Sequence, residues 1–135
     1  MSGGGRRRSV TRLPGDPSAV PAARRFAGQA AADYGGDPDT IDLTKLLVTE
    51  IATNAVVHAG SPIRLTVEPE PPDALRVEVR DDDPTPPPEP SQPDADATNG
   101  RGLWLVSALA RRWGVNRNPK GKTVWFEVDG NGKQH

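Results

Sequence analysis

Residues 41–59 read IDLTKLLVTEIATNAVVHA. Apolar side chains recur here at three- and four-residue spacing, so the stretch is predicted to be a helix. Asp39 or Thr40 is expected to cap its start, and Gly60 to end it. With Glu50 set at zero and a step of about 100° per residue, Asn54 falls at roughly 40° and His58 at roughly 80°. Leu43, Leu47, Val48, Ile51 and Ala55 share that half of the wheel. Lys45, Thr49, Asp42 and Thr53 lie on the other half, which is expected to face solvent, with Val56 its one apolar member. Glu50 and Asn54 are therefore expected to point inward.

A buried carboxylate needs a partner, a metal or a proton. One explanation is a site: Glu50 orients or deprotonates a nucleophile, and the amide oxygen of Asn54 takes a hard cation. The other is a buried polar pair satisfied by backbone or water. His58 is either a rim residue that offsets the helix dipole or a contact to phosphate or substrate. The only other histidine is His135, so a multi-histidine metal site is not expected.

Working toward the N-terminus, residues 18–34 are rich in alanine at helical spacing, with Ser18 as the expected N-cap and Gly35–Gly36 as the stop. Asp37–Pro38–Asp39 is expected to be a turn. Residues 1–16 are polar and carry excess glycine and arginine, so they are expected to form a flexible arm. The folded domain is expected over 17–130, with a polar tail at 131–135.

Working toward the C-terminus, IRLTV (63–67) and LRVEV (75–79) alternate apolar with polar and predict two antiparallel strands. Asp81, Asp82 and Asp83 follow. A carboxylate at a strand end can accept from an exocyclic amino group, or the three acids can simply form a turn before Pro84. Residues 84–98 hold six prolines and no aliphatic side chain larger than alanine, which predicts an extended loop. NGRG at 99–102 opens a helix expected to run through Trp113. Gly100 and Gly102, on either side of Arg101, can expose successive N–H groups to phosphate or can be a plain loop-to-helix junction. Neither the dinucleotide fingerprint nor the P-loop spacing is present. Arg111 and Arg112 are expected at the end of this helix, and Trp104 and Trp113 in core or interface. Strands at 115–117 and 123–128 close the pattern, joined by a turn at 118–121. The order predicts an α+β fold with helices over one face of the sheet.

The chain has 135 residues, enough for one domain. Its 17 Lys and Arg against 18 Asp and Glu give a formal net charge of -1, hence no global drive toward nucleic acid. It has no cysteine, which excludes disulfides and thiolate metal sites. No apolar run reaches membrane-spanning length, and none follows Arg6–Arg8 as a secretory signal would require, so a cytoplasmic protein is expected.

Four segments occur in a fixed order: EIATNAVVHA at 50–59, VEVRD at 77–81, NGRGLWLV at 99–106 and GKTVWFEV at 121–128. Together they resemble the histidine-kinase-like ATPase domain of the GHKL superfamily. More narrowly, they are similar to the short anti-sigma regulatory factors of the serine/threonine kinase type. The resemblance spans roughly residues 12–129. It implies a Bergerat fold, a two-layer sandwich whose mixed, mainly antiparallel sheet is covered on one face by helices. It also implies ATP and magnesium as cofactors. Glu50 would match the acid that positions the nucleophile, Asn54 the magnesium ligand, and Asp81 the carboxylate that binds the adenine amino group. Gly100, Arg101 and Gly102 would lie near the phosphates, Thr123 near the adenine pocket, and His58 at a recurrent position. The implied partners are a phosphorylatable anti-sigma factor antagonist and a sigma factor, and a homodimer would fit the family. Two departures stand out. Asp83 replaces a glycine common in the superfamily, and six acidic residues fall between 81 and 96, where they would oppose a triphosphate. They point to an alternative, a module of the same fold that docks partners without efficient phosphotransfer.

Overall fold

The computed structural model describes residues 8–87 and 102–130. Its elements run β1 (Ser9–Leu13), α1 (Ala19–Asp33), α2 (Pro38–His58), β2 (Ile63–Glu70), β3 (Ala74–Asp81), α3 (Gly102–Leu109), β4 (Arg112–Asn118) and β5 (Gly121–Asp129). The five strands form one sheet in the order β1-β2-β3-β5-β4. Every pairing among the described residues is antiparallel, so the sheet is not mixed there. The helices pack on one face of it, which gives the expected α+β two-layer sandwich.

The central helix α2 starts earlier than its apolar pattern. Asp37, not Asp39 or Thr40, caps it: its Oδ1 accepts the Thr40 N–H at 2.9 Å, and Pro38 takes the first helical position. A proline has no N–H to leave unpaired there and its φ already suits a helix, so the expected turn is the helix start. At the other end the Gly60 N–H returns to the Ala55 carbonyl. The buried face carries Thr40, Thr44, Leu47, Val48, Ile51, Ala52 and Ala55. Part of the side read as solvent-facing is covered by α1, where Gly28 lies against the Lys45 stem and Val56 packs on the core, while Asp42 is exposed as expected. Small residues on α1, Ala19, Ala23, Ala27 and Ala31, allow this close approach and are fully buried.

Ser18 does not cap α1 with its side chain. Instead Asp16 accepts the Ser18 N–H at 2.9 Å and also its hydroxyl.

Residues 9–13 correct the expectation of an arm over 1–16. They form β1, which pairs with β2 from Ser9↔Val67 to Leu13↔Ile63. Ser9, Thr11 and Leu13 alternate inward, and Ser9 shares a 2.8 Å hydrogen bond with the Tyr34 hydroxyl. The polar composition hid this period of two. The second correction falls at α3, which ends at Leu109. The Arg111 N–H bonds the Glu127 carbonyl at 2.8 Å and draws the chain into the sheet, so Arg112 and Trp113 belong to β4 rather than to a helix end. Trp113 and Val115 then face inward opposite Phe126 and Val124.

The core lies between sheet and helices. Leu65 and Val67 on β2, Val77 and Val79 on β3, and Phe126 and Val128 on β5 meet Leu47, Val48 and Ile51 on α2. Leu103 and Val106 of α3 complete it. Fully burying side chains of this size contributes about 1.5–3 kcal/mol each. No described helix is long and apolar enough to cross a membrane. Most of the proline-rich 84–98 loop and the tail at 131–135 lie outside the described residues.

Candidate functional site

Alternation along β3 and β5 decides what faces the helices. Val77 and Val79 are inward, so Asp81 is inward too, with 1% of its surface exposed. On β5 the inward set is Val128, Phe126, Val124 and therefore Lys122, which pairs directly with Asp81. Helix α2 runs above this end of the sheet and brings Ile51, Asn54, Ala55 and His58 over it. These residues enclose, with Pro87, a cavity of about 10 Å³. That is room for one water at most.

The floor of the cavity is an ion pair. Lys122 Nζ lies 3.1 Å from Asp81 Oδ2 and donates to Oδ1 at 3.2 Å and to the Asp83 carbonyl at 3.1 Å. Asp81 Oδ1 also accepts the Asp83 N–H at 2.8 Å. Asp83 itself turns back, and its carboxylate accepts the Thr85 N–H at 2.9 Å. That bond, more than the nearby charges of Lys122 and His58, holds the Asp83 carboxyl below the usual range. Gly121 makes the tight approach possible: a Cβ there would lie 2.1 Å from the Asp81 carbonyl oxygen.

The structure therefore brings Asn54, His58 and Asp81 to one place. Asn54 is half-buried and His58 is exposed at the rim. Glu50 sits one turn before Asn54 on α2, half-buried and not among the residues that line the cavity. Thr123 is not brought there. It pairs with Arg80 and so lies on the face of the sheet away from the helices. The side chain beside Asp81 is that of its neighbour Lys122, which the sequence reading missed. Strand parity was the available signal, since Lys122 lies two residues before Val124. Gly102 begins α3, and Gly100 and Arg101 lie outside the described residues. Among the described residues no three His, Asp or Glu side chains gather as a metal site. A larger groove of about 480 Å³ runs between α1 and α2 beside Arg24, Arg25 and Lys45, but none of the expected site residues lines it.

Residues 13–128 match the profile of the histidine kinase-like ATPase domain. No curated protein matches. Among solved structures, the RsbU and RsbW domains of Rv1364c from Mycobacterium tuberculosis superpose with a TM-score of 0.70 at 17% identity. The match covers 91% of this chain and 32% of that one, so this chain spans about a third of that protein's length. At such identity the likeness is one of fold. The profile match covers most of the sequence: the chain belongs to the histidine kinase-like ATPase domain family.

Proposed function

We propose that this chain binds ATP with magnesium and acts as a serine/threonine protein kinase of the anti-sigma regulatory type. The observation that carries the proposal is that Asn54 and Asp81 line one cavity. An amide oxygen suited to a hard cation and a carboxylate suited to an exocyclic amine thus open on the same space. The donor chemistry fits the nucleotide, because each oxygen of Asp81 has two lone pairs and Oδ2 meets only Lys122 among the described residues. The space fits only if Lys122 and Pro87 withdraw, since a cavity of about 10 Å³ admits no purine.

ATP–magnesium would supply the transferable phosphoryl group. Asp81 would receive the amino group of the base, and Asn54 would hold the cation. Glu50 orients the serine or threonine hydroxyl of an anti-sigma factor antagonist and takes its proton. Gly100, Arg101 and Gly102 are assigned to the phosphates, and His58 to the rim. The charge added to the antagonist would break its complex and free the chain to hold a sigma factor.

The ion pair between Lys122 and Asp81 favours a second reading. An internal ammonium already occupies the carboxylate that the base needs. In that case the domain docks partners without efficient transfer. Labelled ATP, magnesium and a candidate antagonist separate the two. The kinase reading expects label on the antagonist, lost in Glu50→Ala while ATP binding stays. It also expects ATP binding to be lost in Asp81→Asn. ATP binding without transfer supports the docking module. No binding at millimolar ATP ends the kinase reading.

A further inference from the structure

We infer that the face of the sheet opposite the helices carries a docking site for an acidic segment of a partner protein, built from Arg12, Arg64 and Arg80. The register sets these three side by side: Arg12 pairs with Arg64 across β1 and β2, and Arg64 with Arg80 across β2 and β3. Directly opposed residues share a face, so all three project from the outer surface. With strands about 4.8 Å apart, their attachment points span roughly 10 Å. They border a cavity of about 60 Å³, completed by Pro62, Ile63 and Asp82.

Like charges placed directly opposite destabilise a sheet. Elsewhere on this face the arginines are neutralised. Arg8 meets Glu68, Arg76 meets Glu78 and Glu127, and Arg112 meets Glu127. Arg12, Arg64 and Arg80 have no ion-pair partner among the described residues, and Asp82 is the one acid bordering their cavity. The row keeps a local excess of positive charge that the fold does not use.

Guanidinium groups take carboxylates in pairs of parallel hydrogen bonds. Carboxylates on one side of an extended segment recur about every 6.8 Å, so two fit within the row. A second copy of this chain docked row to row would set arginine against arginine. A long polyanion such as nucleic acid would run past a row of roughly 10 Å onto a chain of formal net charge -1, with Asp82 at the row's edge. A short acidic protein segment ends within the row, so Asp82 is the one acid it meets there. The site lies across the sheet from Asn54 and Asp81 and does not depend on nucleotide binding.

The test is fluorescence anisotropy of a labelled hexaglutamate peptide with the full chain, at low and at physiological salt. The wild type is expected to bind, more weakly as salt rises. Arg64→Gln with Arg80→Gln is expected to weaken binding about tenfold, and Arg12→Gln alone to weaken it less. Arg24→Gln with Arg25→Gln, on α1, is expected to leave it unchanged. Amide shifts on titration should centre on residues 12, 64 and 80. Equal binding by the double variant, or no binding at low salt, overturns the inference. So does a DNA duplex that binds the same row more tightly and displaces the peptide, which would assign the row to nucleic acid.

Discussion

The ammonium of Lys122 sits between both carboxylate oxygens of Asp81, 3.1 Å from Oδ2 and 3.2 Å from Oδ1, and the two residues are 3% and 1% exposed. They face each other in register on β5 and β3. Neither charge has much access to water, so each is stabilised mainly by the other. Lys122→Met is expected to cost about 3–5 kcal/mol in urea denaturation, because it strands a buried carboxylate. Lys122→Met combined with Asp81→Asn should recover most of that loss. A double-variant loss equal to the sum of the two single-variant losses would show that the two groups are not coupled.

Glu127 makes a pH-dependent contribution. It is 3% exposed on the outer face, yet it accepts Arg112 Nε at Oε1, and Arg112 Nη2 and Arg76 Nη1 at Oε2, all at 3.0 Å. Burial alone would push its carboxyl up; the hydrogen bonds and charges of the two arginines outweigh burial and hold it below 4.5. A lowered folded pKa means the stabilisation is full above the unfolded value and is lost as pH falls through the folded one. Glu127→Gln should cost about 1–3 kcal/mol at neutral pH. The gap from wild type should close progressively below pH 4.5, as read by denaturation curves across that range.

Gly114 leaves room for a ring. It pairs with Trp125, and a Cβ there would lie 2.8 Å from the indole. The indole in turn carries the Arg76 guanidinium 3.9 Å from its ring centroid. Gly114→Ala should push the indole off this stack and cost about 1–3 kcal/mol. Thermal unfolding of Gly114→Ala beside Gly114→Ala with Trp125→Phe provides the check, since a smaller ring should restore part of the loss.

What could be read from the sequence follows from how local each signal is. The α2 helix and the β2–β3 pair were legible because LLVTEIATNAVV and LRVEV each hold one period without interruption. The strand at 9–13 was not, because SVTRL is short and sits behind glycines and arginines whose composition suggests an arm. The α3–β4 boundary was misplaced because ALARRW continues a helical composition; the decisive pull is the Glu127 carbonyl, distant in sequence. Helix facing and strand position are enough to bring Asn54, His58 and Asp81 toward one cavity. Thr123 was assigned by motif alone, and strand parity turns it to the other face. Neither the ion pair of Lys122 nor the arginine row could be seen without knowing which strands are neighbours.

The order β1-β2-β3-β5-β4 sets β5 between two strands that precede it in the chain. During synthesis, β3 therefore waits with one edge bare and β4 with no neighbour until residue 129 has left the ribosome. Arg112 has no Glu127, and Asp81 no Lys122, before then. The sheet is completed only when β5 is added, and a chain stopped short of β5 keeps a bare β3 edge and an unpaired β4 rather than a smaller working domain.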